Sequence, residues 1–257
     1  LAGLAGLEAW MNPLSLLGPL FALAFAPLLL GVINRTKAFF AGRVGPPLLQ
    51  LYYDLARLLR KGAVYSRTTS WVFRAGPVVG LAAVLVATAL VPCGGLSAPL
   101  AFTGDLVLLA YVLGLMRFVT AMAAMDTGSS FEGMGASREV TFALLAEPAL
   151  FLGLAAMARK TQSLSLSTMF PEAGLSTGIV VALVAFALIV IVLAENSRIP
   201  VDDPSTHLEL TMIHEVMVLD HSGPDFAFIL YSAALKLWVL GALLVGIALP
   251  HSGNVWA

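Results

Sequence analysis

The stretch LIVIVLAENSRIPVDDPSTHLELTMIHEVMVLDHSG, residues 188–223, sets an apolar run directly against a charged segment. The run begins near residue 177 and ends at Ala194. Then come Glu195, Arg198, Asp202, Asp203, His207, Glu209, His214, Glu215, Asp220 and His221. Three of the four histidines lie here. About 20 apolar residues carry a helix across a bilayer. The titratable residues that follow therefore read as a polar loop at one membrane face.

The rest of the chain repeats that pattern. Hydrophobic residues make up 59% of it and charged residues 11%, against about 25% charged in soluble domains. Mean hydropathy is +0.92. Six segments are apolar enough to span: 13–33, 75–91, 103–125, 140–157, 177–194 and 226–249. In hydrocarbon the backbone must satisfy its own hydrogen bonds, so these are helices. Small residues such as Gly80, Ala83 and Ala87 permit close helix contact. The expected fold is all-α, a polytopic transmembrane helix bundle over residues 1–257.

Composition also excludes functions. A net charge of −1 gives no basis for nucleic-acid binding, and the lone Cys93 makes neither an intramolecular disulfide nor an iron–sulfur site. Segment 13–33 is too long for a signal-peptide core and follows no basic region. No internal repeat is visible, which weighs against a stand-alone ion transporter. The chain starts at Leu1 and stops in NVWA, and an incomplete end is expected.

Residues 34–74 hold Arg35, Lys37, Arg43, Arg57, Arg60, Lys61, Arg67 and Arg74, eight of the fourteen lysines and arginines. The positive-inside rule makes this loop cytoplasmic and the N-terminus external. Alternation then places loops 126–139 and 195–225 on the same face. Arg159–Lys160 falls on the outer side, a small exception. Within the first loop, Leu48, Leu51, Leu55, Leu58 and Leu59 recur at helical spacing while Asp54, Arg57 and Arg60 face elsewhere. That is an in-plane amphipathic helix, opened by Pro46–Pro47 and closed by Gly62.

Four charged residues fall inside or at the ends of apolar helices: Arg117, Glu139, Glu147 and Lys236. Intramembrane charge is costly and marks either function or a buried pair. Glu147 is read as a proton relay, with an ion pair to Arg117 or Lys236 as the alternative. Glu139 lies eight residues earlier, about 12 Å along a helix, and is as well placed for capping as for relay. Arg117 can snorkel to the interface; Lys236, nearly half-way into its helix, is harder to explain that way. The HE at 214–215 lacks the second histidine of HExxH, because residue 218 is valine. His207 and His214 alone make no metal pair, so no metal is expected.

Three ordered blocks carry a family resemblance: GRVGPPLLQLYYDLARLLRKG with Gln50, Asp54 and Lys61; DTGSSFEGMGASREVTFALLAEP with Asp126 and Arg138; and AENSRIPVDDPSTHLELTMIHE. Together they resemble the H subunit of respiratory complex I. They are more similar still to the formate hydrogenlyase subunit 4 and hydrogenase-4 C-subunit branch of energy-converting NiFe hydrogenases. The resemblance matches Glu147, nine residues after Arg138, to the family's intramembrane glutamate. It matches Glu195, Arg198, Pro200, Asp202 and Glu209 to the acidic loop feeding the quinone cavity. Ser205 and His207 stand where that loop carries acids, which favours the hydrogenase branch over a quinone-binding subunit.

The resemblance implies about eight membrane helices of about 20 residues, so a further pair is expected beyond Ala257. It implies a multi-pass subunit of a prokaryotic cytoplasmic membrane with no redox cofactor on this chain. A NiFe centre and iron–sulfur clusters would sit on large, small and iron–sulfur partner subunits. A quinone at the interface and antiporter-like membrane partners complete the expectation. Arg43, Gln50, Asp54, Arg57, Lys61, Asp126 and Arg138 would dock the electron-transfer arm. Residues 195–225 would form the coupling loop, and Arg117, Glu139, Glu147 and Lys236 the proton relay.

Overall fold

The computed structural model describes residues 13–174, 178–198, 201–202 and 212–248. A 3₁₀ turn, Pro13–Leu16, leads into α1, Leu17–Phe40. Then come α2 (Gln50–Leu59), α3 (Trp71–Leu90), α4 (Asp105–Asp126), α5 (Ser130–Thr161), α6 (Leu166–Gly174), α7 (Ile179–Glu195), α8 (Ile213–Val216) and α9 (Gly223–Ala248). Among the described residues there is no strand.

The chain is a polytopic helical bundle. Leu14–Phe40, α3, α4, α5 and α9 are long and apolar enough to cross a membrane. The expected six spans are thus five plus a shorter one: α7 has 17 residues, about 26 Å at helical rise. Pro27, Pro77 and Pro148 lie inside helices, which neighbouring helices make tolerable in membrane bundles.

Helix α9 runs through the centre, against α1, α2, α3, α6 and α7. The main core joins Leu109 and Leu113 of α4, Leu150 and Leu154 of α5, Leu188 of α7 and Leu240 and Leu243 of α9. Ala22, Ala26, Val84, Ala234 and Leu235 knit α1, α3 and α9. A third cluster seats α8 on α4 and α5 through Ala124, Ala136, Ile213 and Met217.

The loop boundaries need correction. Helix α1 continues to Phe40 and takes Arg35 and Lys37 out of the 34–74 loop. Residues 126–139 are not a loop: only 127–129 lie between helices, and α5 begins at Ser130. Glu132, Gly135, Ala136 and Glu139 form a buried stripe there at helical spacing. Segment 195–225 contains α8 and the start of α9. The amphipathic α2 packs against α1 and α9, where the Tyr52 hydroxyl donates to the Ala24 carbonyl. Sequence periodicity did not reveal α6, whose Leu166, Met169 and Phe170 are buried.

Candidate functional site: a buried ion cluster beneath a cavity

The guanidinium of Arg117 on α4 holds three carboxylates. Nε lies 3.3 Å from Glu139 Oε1 and Nη1 lies 2.5 Å from Glu147 Oε1, both glutamates on α5. Nη2 meets Oε1 of Glu195, the last residue of α7. The other oxygen of Glu195 is 3.7 Å from Lys236 Nζ on α9. A planar fork with five donors is the side chain suited to several acceptors at once. Gly114, one turn before Arg117, faces the Glu147 carboxylate.

This corrects two expectations. Arg117 does not snorkel; its side chain is 9% exposed and paired with three carboxylates. Glu139 caps nothing, because it lies well inside α5 rather than at its start. Glu195 belongs with these intramembrane groups and not only with the loop after it. The cluster carries three carboxylates against two cations, a formal charge of −1 for the five groups. Uptake of a single proton would neutralise it. Glu147 differs from its neighbours: its side chain is 47% exposed, whereas that of Glu195 is 6% exposed.

A cavity of about 550 Å³ opens on the cluster. Arg117, Glu139, Glu195 and Lys236 are among its lining residues, and Met116, Phe226 and Leu230 belong to its apolar walls. Arg198, His214, Glu215 and His221 line it too. Burial pushes the His214 imidazole down to about 3, with the Lys236 charge adding to the effect. Burial likewise pushes His221 down to about 4, against the pull of Asp225 and Asp220. Both rings are neutral at neutral pH. Burial also lowers Arg198, which stays a cation.

Some of the other expected site residues make structural contacts. Asp126 accepts from Ser70 N–H at 2.7 Å, Ser70 Oγ at 2.8 Å and Phe73 N–H at 3.3 Å, so it fastens the start of α3. Asp202 is buried and accepts from Ile213 N–H at 2.9 Å, opening α8. The Gln50 amide donates to Asp54 at 3.0 Å within α2. Arg43, Arg57 and Lys61 are exposed around it, and Arg138 is half-buried on α5. Asp203, His207 and Glu209 lie outside the described residues. Among the described residues, no group of three or more histidines, cysteines or carboxylates is placed to hold a metal.

Sequence reasoning assigned no role to several buried polar residues. Glu132 accepts from Asp220 N–H at 3.1 Å. Asp105 accepts from Leu166 N–H at 2.9 Å and Ser165 Oγ at 2.9 Å, which fixes α6. His221 and Asp225 flank the Gly223 start of α9. The stripe 132, 135, 136, 139 was the available signal for Glu132.

Residues 14–254 match the family described as NADH dehydrogenase. Formate hydrogenlyase subunit 4 of Escherichia coli (strain K12) is 32% identical over 238 residues, covering 91% of this chain and 76% of that protein. Hydrogenase-4 component C of the same organism is 32% identical over 234 residues, 89% of this chain and 72% of that one. Among solved structures, a chain of the membrane-bound sulfane sulfur reductase, an archaeal respiratory membrane complex, superposes with a TM-score of 0.79 at 21% identity. That match covers 92% of this chain and 78% of the other, and shows a shared fold.

Proposed function

The chain belongs to the NADH dehydrogenase family as a complex I H-subunit-like membrane protein, and from that premise we propose that it is the membrane subunit of an ion-translocating, hydrogenase-type oxidoreductase complex. Its relatives at 32% identity are a formate hydrogenlyase subunit and a hydrogenase-4 component, which supports the hydrogenase branch. In this reading the electron-transfer arm docks on the face bearing α2, the 60–70 segment and α8. That face is cytoplasmic, in a prokaryotic inner membrane, and the N-terminus is external. The NiFe centre and iron–sulfur clusters belong to the arm, and antiporter-like subunits adjoin within the membrane.

One observation carries the reading: a single arginine joined to three glutamates from two helices, with Lys236 beside them, and all but Glu147 lining one cavity. The cluster holds one carboxylate more than its cations, so it takes up one proton and passes it on. Glu195, shared by Arg117 and Lys236, is the group whose pairing changes. Charge arriving near the cavity mouth shifts that balance through low-dielectric surroundings, where electrostatic coupling is strong. Half-exposed Glu147 is the exit toward a neighbouring membrane subunit.

Glu147→Gln tests the relay. The complex should assemble and transfer electrons, while proton (or Na⁺) accumulation in sealed vesicles falls to background. Accumulation at the wild-type rate would remove the relay. A second reading, a quinone-binding H subunit, draws support from the size and apolar walls of the cavity, where a quinone would lie against Met116, Phe226 and Leu230. The proteins that co-purify with the chain separate the two, through presence or absence of a large subunit with four NiFe-ligating cysteines.

A further inference from the structure

A second group of polar side chains lies on the loop-bearing side of the cavity, outside the ion cluster. His221 and Asp225 are each only 7% exposed, yet His221 Nδ1 and Asp225 Oδ2 have no hydrogen-bond partner among the described residues. Native structures meet the cost of such orphaned atoms with ordered water. Space for it adjoins His221. A cavity of about 20 Å³ shares Met116, Thr120, His221 and Ile229 with the large one and has Ser232 in its wall. That is room for about one water molecule.

The other end of the group reaches the surface. The Asp225 carboxylate lies near enough to the hydroxyl of half-buried Tyr65 to push its pKa up. The Tyr65 ring stands edge-on to Phe73 and lies 4.4 Å beneath the Arg74 guanidinium. Phe73 in turn stacks flat on His221, with 3.9 Å between centroids and 5° between planes. Residues 62–65 are pinned to the start of α9. Val64 N–H donates to Ser222 Oγ at 3.0 Å, and a Cβ on Gly223 would lie 2.7 Å from the Gly62 carbonyl oxygen. Asp225 is close enough to act on the charge of His221. The order is therefore surface, Tyr65, Asp225, His221, cavity.

We propose that Tyr65, Asp225 and His221, with water bound between the last two, are the entry by which protons reach the buried ion cluster from the loop-bearing face. The proposal rests on the reading that the cluster exchanges a proton. Each transfer balances. Tyr65 gives its hydroxyl proton to Asp225 and takes one from solvent. The carboxyl passes it through water to one ring nitrogen of His221, and the other nitrogen releases a proton to the cavity. The phenol and the carboxylate end as they began, His221 ends in its other tautomer and is reset by a ring flip or by proton exchange through water, and no electrons move.

The test uses the intact membrane complex in sealed vesicles, reading proton movement per turnover with a pH-sensitive dye. His221→Phe keeps the stack on Phe73 and removes both ring nitrogens; Asp225→Asn removes the carboxylate. Each should slow proton movement by about tenfold or more. Added imidazole should restore part of the rate to His221→Ala. Tyr65→Phe, which keeps the ring and loses only the hydroxyl, should slow the rate by about threefold and enlarge the solvent isotope effect. Wild-type rates in His221→Phe and Asp225→Asn overturn the proposal, as does a loss in His221→Ala that imidazole leaves unchanged. If Glu139→Gln and Glu147→Gln abolish pumping while the entry variants pump normally, the entry alone fails. If all four variants pump normally, the reading of the cluster fails with it.

Discussion

Arg117 presents five donors in a plane, and carboxylates from two helices use them from three directions. Lysine supplies a point charge and cannot span Glu139 and Glu195 together. Removing the guanidinium altogether leaves two glutamates buried with Lys236 as their remaining cation. Breaking a buried pair in this way costs about 3–5 kcal/mol. Arg117→Met should therefore lower thermal stability in detergent by that amount, and a change under about 1 kcal/mol would show the pairs to be dispensable. The buried histidines set a pH dependence of definite sign. Both are depressed in the fold, to about 3 for His214 and about 4 for His221. The unfolded chain therefore binds protons first as pH falls below about 6.5, and stability drops. Between pH 7 and 5 each ring accounts for a loss of about 2 kcal/mol, and the loss grows until pH passes below its folded value. His221→Gln should flatten its share of the pH–melting profile. At this scale the sequence marked Glu147 and Lys236 through the cost of intramembrane charge. It marked Glu195 only as a loop residue, because a charge at the end of an apolar run looks the same whether it turns to water or inward.

Helix α3 starts where Asp126, the last residue of α4, takes up its free N–H groups. One carboxylate thus ties the end of one span to the beginning of another. Asp126→Ala should cost about 1 kcal/mol, the usual value of a helix N-terminal cap, and Asp126→Asn appreciably less. Chemical unfolding of the purified chain measures both; equal stability of all three proteins would remove the cap. Element positions were largely legible, since apolar runs locate spans wherever the flanks are polar. They misplaced the start of α5, whose first turns carry Glu132, Arg138 and Glu139 and look like a loop by composition. The helical spacing of its buried stripe, 132, 135, 136 and 139, was the better guide. Helix α6 escaped because nine residues are too few for a periodic signal. Its burial comes from Phe170 filling the space beside Gly246, where a Cβ would lie 2.3 Å from the ring.

The whole molecule presents an apolar exterior. Leu144, Leu145, Leu152, Leu183 and Phe186 stand exposed along α5 and α7, which suits a surface immersed in lipid or covered by another membrane subunit. The bundle as a class was written in hydropathy and charge. The convergence of α4, α5, α7 and α9 on one arginine was not, since no spacing within one helix states which neighbour it meets.

Glu195 closes α7, and the chain turns at once through Ser197, a buried residue with φ +44. A non-glycine residue there is held against its preference. The root of the 195–225 segment is thereby tethered to Arg117 and Lys236, so whatever grips that segment also acts on the ion cluster. Thermodynamics makes such an influence mutual: if a docked arm changes the cluster's proton affinity by some factor, protonation changes the arm's affinity by the same factor. Titrating the dissociation constant of the arm against pH should reveal that factor, and Glu195→Gln should erase it. The membrane segment would then report its proton occupancy to the soluble machinery through the strength of their embrace.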